Sequence, residues 1–534
     1  MDLKGPKGGN IITGQIAGAP SNGAEPDIWF LRVSEKYGPV TVIRAPWNTC
    51  MLWTCDHKAM SHILVNSDLY HRPDYARWWF GTFVGRGVII AHGESHSRQR
   101  RIMNPAFGVS PIKQMTEVFV DKTLDLCDVF RSLIDKEQHH SGGAENGGVK
   151  NNDSVVLDMS LWLGRAALDM MTIICFQINL DVLGTGSHSQ GKGPGNRGEE
   201  QKERGRESDE LYPALEELFG TNDLNFSLLF WKSWIPLVRL WTLDESSHKI
   251  ERCHGMIRTL AKKLIKEREK EILAGSVDEE TRDLLTLLTK ATMEKVNKDR
   301  MMSLDEACEQ ISTYFVAGQE TSAAAVTWGL HSLSNDQAVQ TRLREELDTV
   351  GTDHPTKEQL DGLPYLDLVV REMLRLHSPG AWIEREATKD DVIPFEKPFT
   401  DRHGNVRQHL PISKGDWIRI SIRAINCQEE VWGPDAREFN PERWRDPPKA
   451  VSTMPGLIQQ QMSFSTGPKS CIGYKFGLMQ MKAMIFCLIR AFEFEPAIPK
   501  EMVIRRSLAV SRPMIKGQVN QGTQLPMRIR RRVR

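Results

Sequence analysis

The chain has 534 residues, 40% of them hydrophobic and 26% charged, and its 69 basic and 69 acidic side chains leave a formal net charge of zero. That balance excludes a nucleic-acid binder held by bulk electrostatics, while the hydrophobic share is ordinary for a soluble globular protein. Nine cysteines, scattered and odd in number, exclude a disulfide scaffold, suit a reducing compartment and show no zinc spacing.

Residues 1–26 are rich in Gly, Pro, Asn and Ala without a period and read as an irregular leader lacking the apolar core of a signal peptide. Nowhere does the chain hold the roughly 20 consecutive apolar residues of a membrane-spanning helix. VTVIRA (40–45) and CMLWTC (50–55), separated by Pro46-Trp47-Asn48, predict a hairpin of a small sheet. HGESHSRQRRIMNPAFG (92–108) predicts a basic helix closed at Asn104-Pro105. His92 and His96 fall four apart, but no third metal ligand joins them and the order is not the HExxH of zinc proteases. His96 and Arg100, also four apart, share a helix face, and the plain alternative is a solvated basic surface.

Two stretches, 138–154 and 184–207, are polar, Gly-rich and too poor in apolar residues to pack, so they read as mobile insertions. Gly184 and Gly186 lack the third glycine and the preceding strand of a dinucleotide fingerprint. Between the insertions, VVLDMSLWLGRAALDMMTIICF has the period of a buried helix. NFSLLFWKSWIPLVRLW (225–241) is apolar and aromatic, but Lys232, Pro236 and Arg239 interrupt it; it lies either in a membrane interface or on a core. Residues 246–274 predict a long charged helix with i, i+4 pairs.

Ser303–Asn335 predicts a helix on the order of 50 Å long whose apolar middle should be buried. That middle holds Ala317-Gly318-Gln319-Glu320-Thr321-Ser322, and a glycine with polar neighbours there costs stability unless it serves something. A kink in which Thr321 bonds back to a carbonyl is the structural alternative. In YLDLVVREMLRLH (365–377), Glu372 and Arg375 lie three apart on one face of an otherwise apolar helix. WIEREATKDDVIP carries Arg385, WIRISI (417–422) alternates as a strand, PDAREFNPERW supplies Arg443, and SLAVSRP (507–513) reads as a turn. The basic tail RIRRRVR reads as a solvated or partner-facing strand end. In FSTGPKSCIG (464–473), Cys471 sits on a glycine-punctuated loop that enters a helix, where unpaired N–H groups favour a thiolate able to bind a soft metal; a small buried apolar residue is the alternative.

F-x-x-G-x-x-x-C-x-G followed by a helix resembles the cysteine loop of the cytochrome P-450 family, the haem-thiolate monooxygenases, of a eukaryotic microsomal and fungal-like type. The resemblance implies that Cys471 is the iron ligand, that Phe464 shields its sulfur, and that Gly467 and Gly473 let the backbone pass beneath the porphyrin. Lys469 stands where the family usually has Arg or His to meet a haem propionate; it keeps the charge and loses the planar fork. G-x-x-H-x-x-x-R is similar to the family's propionate-binding helix and implies that role for His96 and Arg100, with Arg385 a further contact and Pro379 to Ile383 along the pocket. The segment around Thr321 is similar to the motif in which Glu320 and Thr321 deliver protons to dioxygen. E-x-x-R with P-E-R implies a buried network of Glu372, Arg375 and Arg443 beneath the haem.

Four motifs in family order span His96 to Gly473, and weaker similarity runs from about Asp27 to Arg528. They imply a mainly α fold with small β-sheets, a single large haem domain over 27–530. The cofactor implied is heme b, iron protoporphyrin IX, with O2 as co-substrate. The activity implied is insertion of one oxygen atom into a lipophilic substrate, in secondary metabolism, with two electrons from NADPH through a separate reductase. No nicotinamide or flavin motif occurs in the chain, so an NADPH-cytochrome P-450 reductase, with cytochrome b5 as a further donor, is the expected partner; Lys469, Lys475 and Arg98 are candidates for its basic docking patch. Location at the cytoplasmic face of the endoplasmic reticulum follows from the family. The leader lacks the usual anchor, which leaves a truncated chain, peripheral membrane contact or a soluble protein. The competing readings are an isomerase or dehydratase needing no reductase, and a non-enzymatic haem sensor.

Overall fold

The computed structural model describes residues 1–10, 12–15, 26–141, 153–184, 226–278, 280–457, 460–507 and 510–532; both stretches read as insertions lie largely outside these residues. The longer helices are α1 (Pro26–Tyr37), α2 (His57–Val65), α3 (Asp74–Val84), α4 (Gly93–Met103), α5 (Val109–Ser141), α6 (Met159–Phe176) and α7 (Phe226–Trp234). They continue with α8 (Glu245–Leu273), α9 (Leu284–Met293), α10 (Leu304–Asn335), α11 (Gln337–Asp348), α12 (Pro364–Leu376) and α13 (Tyr474–Ala491). The chain is mainly helical with small sheets, as the sequence predicts.

The largest sheet orders its five strands β1 (Val40–Arg44), β2 (Cys50–Thr54), β8 (Trp417–Ser421), β5 (Trp382–Ala387) and β3 (Tyr70–His71). The hairpin predicted around Pro46 is its β1–β2 edge, with Val42 opposite Leu52. The supposedly irregular leader is ordered in part: Val42 N–H donates to the Lys4 carbonyl, and the Gln15 side chain accepts from Arg44 N–H. The free edge of β1 is thereby covered. A second sheet places β12 (Pro526–Arg531) between β4 (Ser154–Asp158) and β9 (Phe492–Pro496), while β6 (Asp391–Thr400) pairs with β7 (Val406–Ile412) and β10 (Val503–Ser507) with β11 (Ser511–Ile515). The basic tail is therefore a central strand rather than a free end, and Arg531 and Arg532 pair with Asp135 and Asp348. The stretch beginning at Val155 likewise opens as strand β4 before α6 starts, because pairing with β12 claims its alternating residues.

α10 runs unbroken through the core. Ser303 caps it: its hydroxyl accepts Glu306 N–H, the Glu306 carboxylate returns to Ser303 N–H, and two orphan donors are satisfied. Gly318 serves packing, since a Cβ there would overlap Met171 of α6, and α6 crosses α10 at that point. α12 starts on Pro364, and the Glu346 carboxylate of α11 accepts the free N–H groups of Tyr365 and Leu366 at 2.7 and 2.8 Å. α6 is the one helix among the described residues long and apolar enough to cross a membrane, and 72% of its apolar window is buried inside the protein.

Candidate functional site

A cavity of about 380 Å³ lies between the middle of α10 and the loop that feeds α13. The loop's shape follows from its sequence. Met462–Phe464 make one tight turn, Ser465 takes φ 60° and ψ −165°, and Gly467 takes φ +72°. A side chain at 467 would overlap the Leu64 carbonyl oxygen at the end of α2. Cys471 N–H donates to the Phe464 carbonyl at 3.0 Å and Gly477 N–H to Gly473 at 2.9 Å, which fixes the cysteine just ahead of the helix.

By surface area Cys471 is exposed, because its side chain borders the cavity, yet it lies deep within the protein. Burial pushes its thiol up, against the opposing pull of the Gly473 N–H and Arg100. The helix end alone therefore does not make a thiolate; a cation bonded to the sulfur is needed to hold it deprotonated.

Cations gather at the same cavity. Arg100 of α4 donates to the Ser470 carbonyl, Lys469 to the Ala91 carbonyl, and Arg385 of β5 to the Glu384 carbonyl at 2.8 Å. Among the described residues none of these three has a carboxylate partner; Glu384 pairs instead with Arg419 on β8, which fixes the strand beside Arg385. Burial, then Arg385, Arg72 and Arg100, bring Lys469 down to about 7, and burial with Arg72 brings Arg385 down to about 9. His96 falls to about 3 through burial and Lys469, so it is a neutral imidazole. A thiol on one wall and uncompensated cations at one end suit a ligand that carries a soft metal and acid groups.

His96, Arg100, Arg385, Lys469, Phe464, Gly473, Cys471 and Thr321 all line this cavity. Gly467 and Glu320 do not. Gly467 acts through backbone packing, and the Glu320 carboxylate pairs with Arg512 of β11 at 2.8 Å. Thr321 donates to the Ala317 carbonyl at 2.7 Å without kinking the helix, so its remaining lone pair is free to accept. Arg98 is engaged elsewhere: it bridges to Glu306 at 2.6 Å and is not a free basic group for a docking patch.

Glu372, Arg375 and Arg443 form the expected buried network. Glu372 accepts both Arg375 Nε and Nη2 at 2.8 Å and Arg443 Nε at 3.0 Å, and both Glu372 and Arg375 are fully buried. Three members carry no signal in the E-x-x-R spacing. Trp444 Nε1 and Asn440 N–H also donate to Glu372 at 3.0 Å, and Asp435 forks onto Arg443 at 2.9 Å.

Two further cavity residues escape sequence reasoning. Arg72 follows β3, stacks over the Phe80 ring at 4.3 Å and lines the cavity; a lone arginine before a proline has no periodic signature. His92 also lines it, stacked on His71 at 4.7 Å, with both ring nitrogens buried and unpartnered. Its spacing to His96 marked it only as half of an incomplete metal pair.

The cytochrome P-450 family model matches residues 6–520 of the chain. Cytochrome P-450 monooxygenase 205 of Postia placenta is 36% identical over 540 residues, covering 99% of this chain and 92% of the relative. Cytochrome P-450 monooxygenase claO of Ampulloclitocybe clavipes is 30% identical, covering 99% and 93%. The ganoderic acid synthetase of Ganoderma lucidum is 29% identical, covering 91% and 86%.

Proposed function

The chain belongs to the cytochrome P-450 family and is a P-450 monooxygenase, and from that premise we propose that Cys471 would supply the thiolate ligand of a heme b accommodated between α10 and the loop at 464–473. The observation that carries this reading is the cavity that joins Cys471 to Arg72, Arg100, Arg385 and Lys469. When bound, haem supplies the reductive activation of O2, which a thiolate ligand favours. Arg100, Arg385, Lys469 and Arg72, with the neutral His96 and His92 as hydrogen-bond partners, would hold its two carboxylates. Phe464 shields the sulfur. The network of Glu372, Arg375 and Arg443 keeps the loop's underside rigid.

Thr321 presents a hydroxyl to the cavity four residues from Ala317, where it accepts and passes on a proton, and Glu320 resupplies it. The balance is RH + O2 + 2e⁻ + 2H⁺ → ROH + H2O. Ala317, Phe107, Met171 and Ile422 make the remaining wall apolar, so the substrate is lipophilic. The relatives are named as fungal monooxygenases, one of them for ganoderic acid, and by that likeness a secondary metabolite is the substrate class. Residues 27–530 act as one domain. Electrons come from an NADPH-cytochrome P-450 reductase, with cytochrome b5 as an auxiliary donor, at the surface around Lys475. Leu237, Leu240, Trp241 and Leu243 are 65–83% exposed after α7, and Trp47, itself exposed, lies 6.1 Å from Trp231 of α7. This patch rests on the endoplasmic reticulum membrane.

The test is the spectrum of the reduced protein with carbon monoxide. The native chain gives the thiolate-type band and reductase-dependent turnover; Cys471→Ser loses both. A serine variant that keeps the band refutes the assignment, and turnover without a reductase refutes the monooxygenase cycle in favour of isomerisation.

A further inference from the structure

Among the described residues, the phenol and indole rings that line the cavity are those of Tyr70, Tyr314 and Trp382, and their surroundings differ. The Tyr314 hydroxyl has no hydrogen-bond partner, and the Arg419 guanidinium lies over the Trp382 ring at 5.2 Å. The Tyr70 hydroxyl of β3 donates to Asp391 Oδ2 of β6 at 2.5 Å, and the same oxygen accepts from His62 Nε2 of α2 at 2.8 Å. A carboxylate can only accept, so both bonds are charge-assisted. Tyr70 is 1% exposed, whereas the side chains of His62 and Asp391 are 25% and 22% exposed, so this chain of hydrogen bonds runs from the cavity wall to water. Pairing of Tyr70 with Ala387 of β5 fixes the backbone that carries the phenol. At rest, burial and then Asp391 keep the phenol protonated. Loss of an electron inverts that order, because a phenol radical cation is a strong acid and Oδ2 takes its proton with no rearrangement. Tyr314 has no such acceptor, and the cation on the Trp382 ring opposes removal of an electron there.

We propose that Tyr70, with Asp391 and His62, is a redox-active tyrosine that drains oxidising equivalents from the cavity when no substrate takes them. The inference rests on the haem reading given above. The oxidant is a peroxide acting at the haem, and the reductant is a small one-electron donor in solution such as ascorbate. In each turn Tyr70 gives one electron to the oxidised haem, its O–H bond breaks, and the proton crosses to Asp391 Oδ2, leaving a neutral tyrosyl radical. Ascorbate approaches from the side of the partly exposed His62, whose ring stands edge-on to Tyr70 at 6.0 Å. It returns the electron, Asp391 returns the proton, and the O–H bond reforms. Two turns complete H2O2 + 2e⁻ + 2H⁺ → 2H2O, with both electrons and both protons drawn from two ascorbate anions.

The test uses the full chain loaded with haem, as native, Tyr70→Phe, Asp391→Asn and Tyr314→Phe proteins. Each is mixed with hydrogen peroxide without substrate, freeze-quenched and measured by electron paramagnetic resonance, and haem bleaching is timed with and without ascorbate. The carbon monoxide band of the reduced protein reports an intact haem site in every variant. Native and Tyr314→Phe proteins should give a tyrosyl signal that ascorbate quenches. Tyr70→Phe, which deletes one oxygen atom, should lack the signal, bleach faster and gain no protection from ascorbate. Asp391→Asn should form the radical roughly tenfold more slowly, the measure of exchanging a charge-assisted hydrogen bond for a neutral one. A native protein that shows the band but no tyrosyl signal overturns the proposal and leaves the haem reading standing. So does a Tyr70→Phe protein with native signal and haem lifetime, or loss of the signal in Tyr314→Phe instead. A native chain without the thiolate-type band refutes the haem reading and this inference with it.

Discussion

Replacing Glu372 by alanine removes the one acid that two guanidinium groups share. The carboxylate accepts five hydrogen bonds, from Arg375 Nε and Nη2, Arg443 Nε, Trp444 Nε1 and Asn440 N–H. Arg443 keeps Asp435 as a second acid, but Arg375, fully buried, is left with the carbonyls of Asn426, Ala436 and Glu438. Breaking a buried pair from one side costs about 3–5 kcal/mol, against the roughly 5–15 kcal/mol that holds a typical domain. A chain of 534 residues melts with an entropy of about 1.1 kcal/mol per degree, so the expected fall in Tm is roughly 3–5 °C. Arg443→Ala should cost less, because Glu372 still pairs with Arg375. Thermal melts followed by circular dichroism, with haem-to-protein ratio measured on the same samples, read both quantities. An E372A protein within about 1 °C of the native melt and fully loaded with haem would refute the view that this network supports the cysteine loop.

Three smaller perturbations probe the cavity wall. Gly467→Ala places a methyl group against the Leu64 carbonyl at a φ of +72°, and should lower Tm and haem retention together, since that backbone conformation alone costs about 1–2 kcal/mol. Ser465→Gly relieves a residue held at φ 60° and ψ −165°, a region essentially reserved for glycine, so it should stabilise the chain by about 1 kcal/mol, read as a small rise in Tm. Lys469 is lowered to about 7 by burial and by Arg385, Arg72 and Arg100. The folded, haem-free chain therefore sheds this proton near pH 7 while the unfolded chain keeps it to the ordinary lysine value, and haem-free stability rises with pH between the two. Haem capture, which needs the charged ammonium, should weaken over the same range, and Lys469→Met should flatten both dependences in pH-resolved melts and haem titrations.

The local pattern of the sequence already determined much of this protein. Capping, periodicity and the helix-opening Pro364 mark α10 and α12 because each signal acts within a few residues. The cysteine loop, the His96–Arg100 face and the Glu372–Arg375 spacing are legible for the same reason: one turn of helix or one loop sets their geometry. Only tertiary packing decided that Arg72 and His92 join Arg100, Arg385 and Lys469, since that cluster is drawn from four separated stretches. It likewise decided that Glu320 turns to a strand nearly two hundred positions away, that Glu306 takes Arg98, and that the basic tail becomes the middle of a sheet. In each case a charge or a strand edge must find a partner when water is removed, and which partner stands nearest depends on how helices cross and strands pair, a property no short window of residues contains.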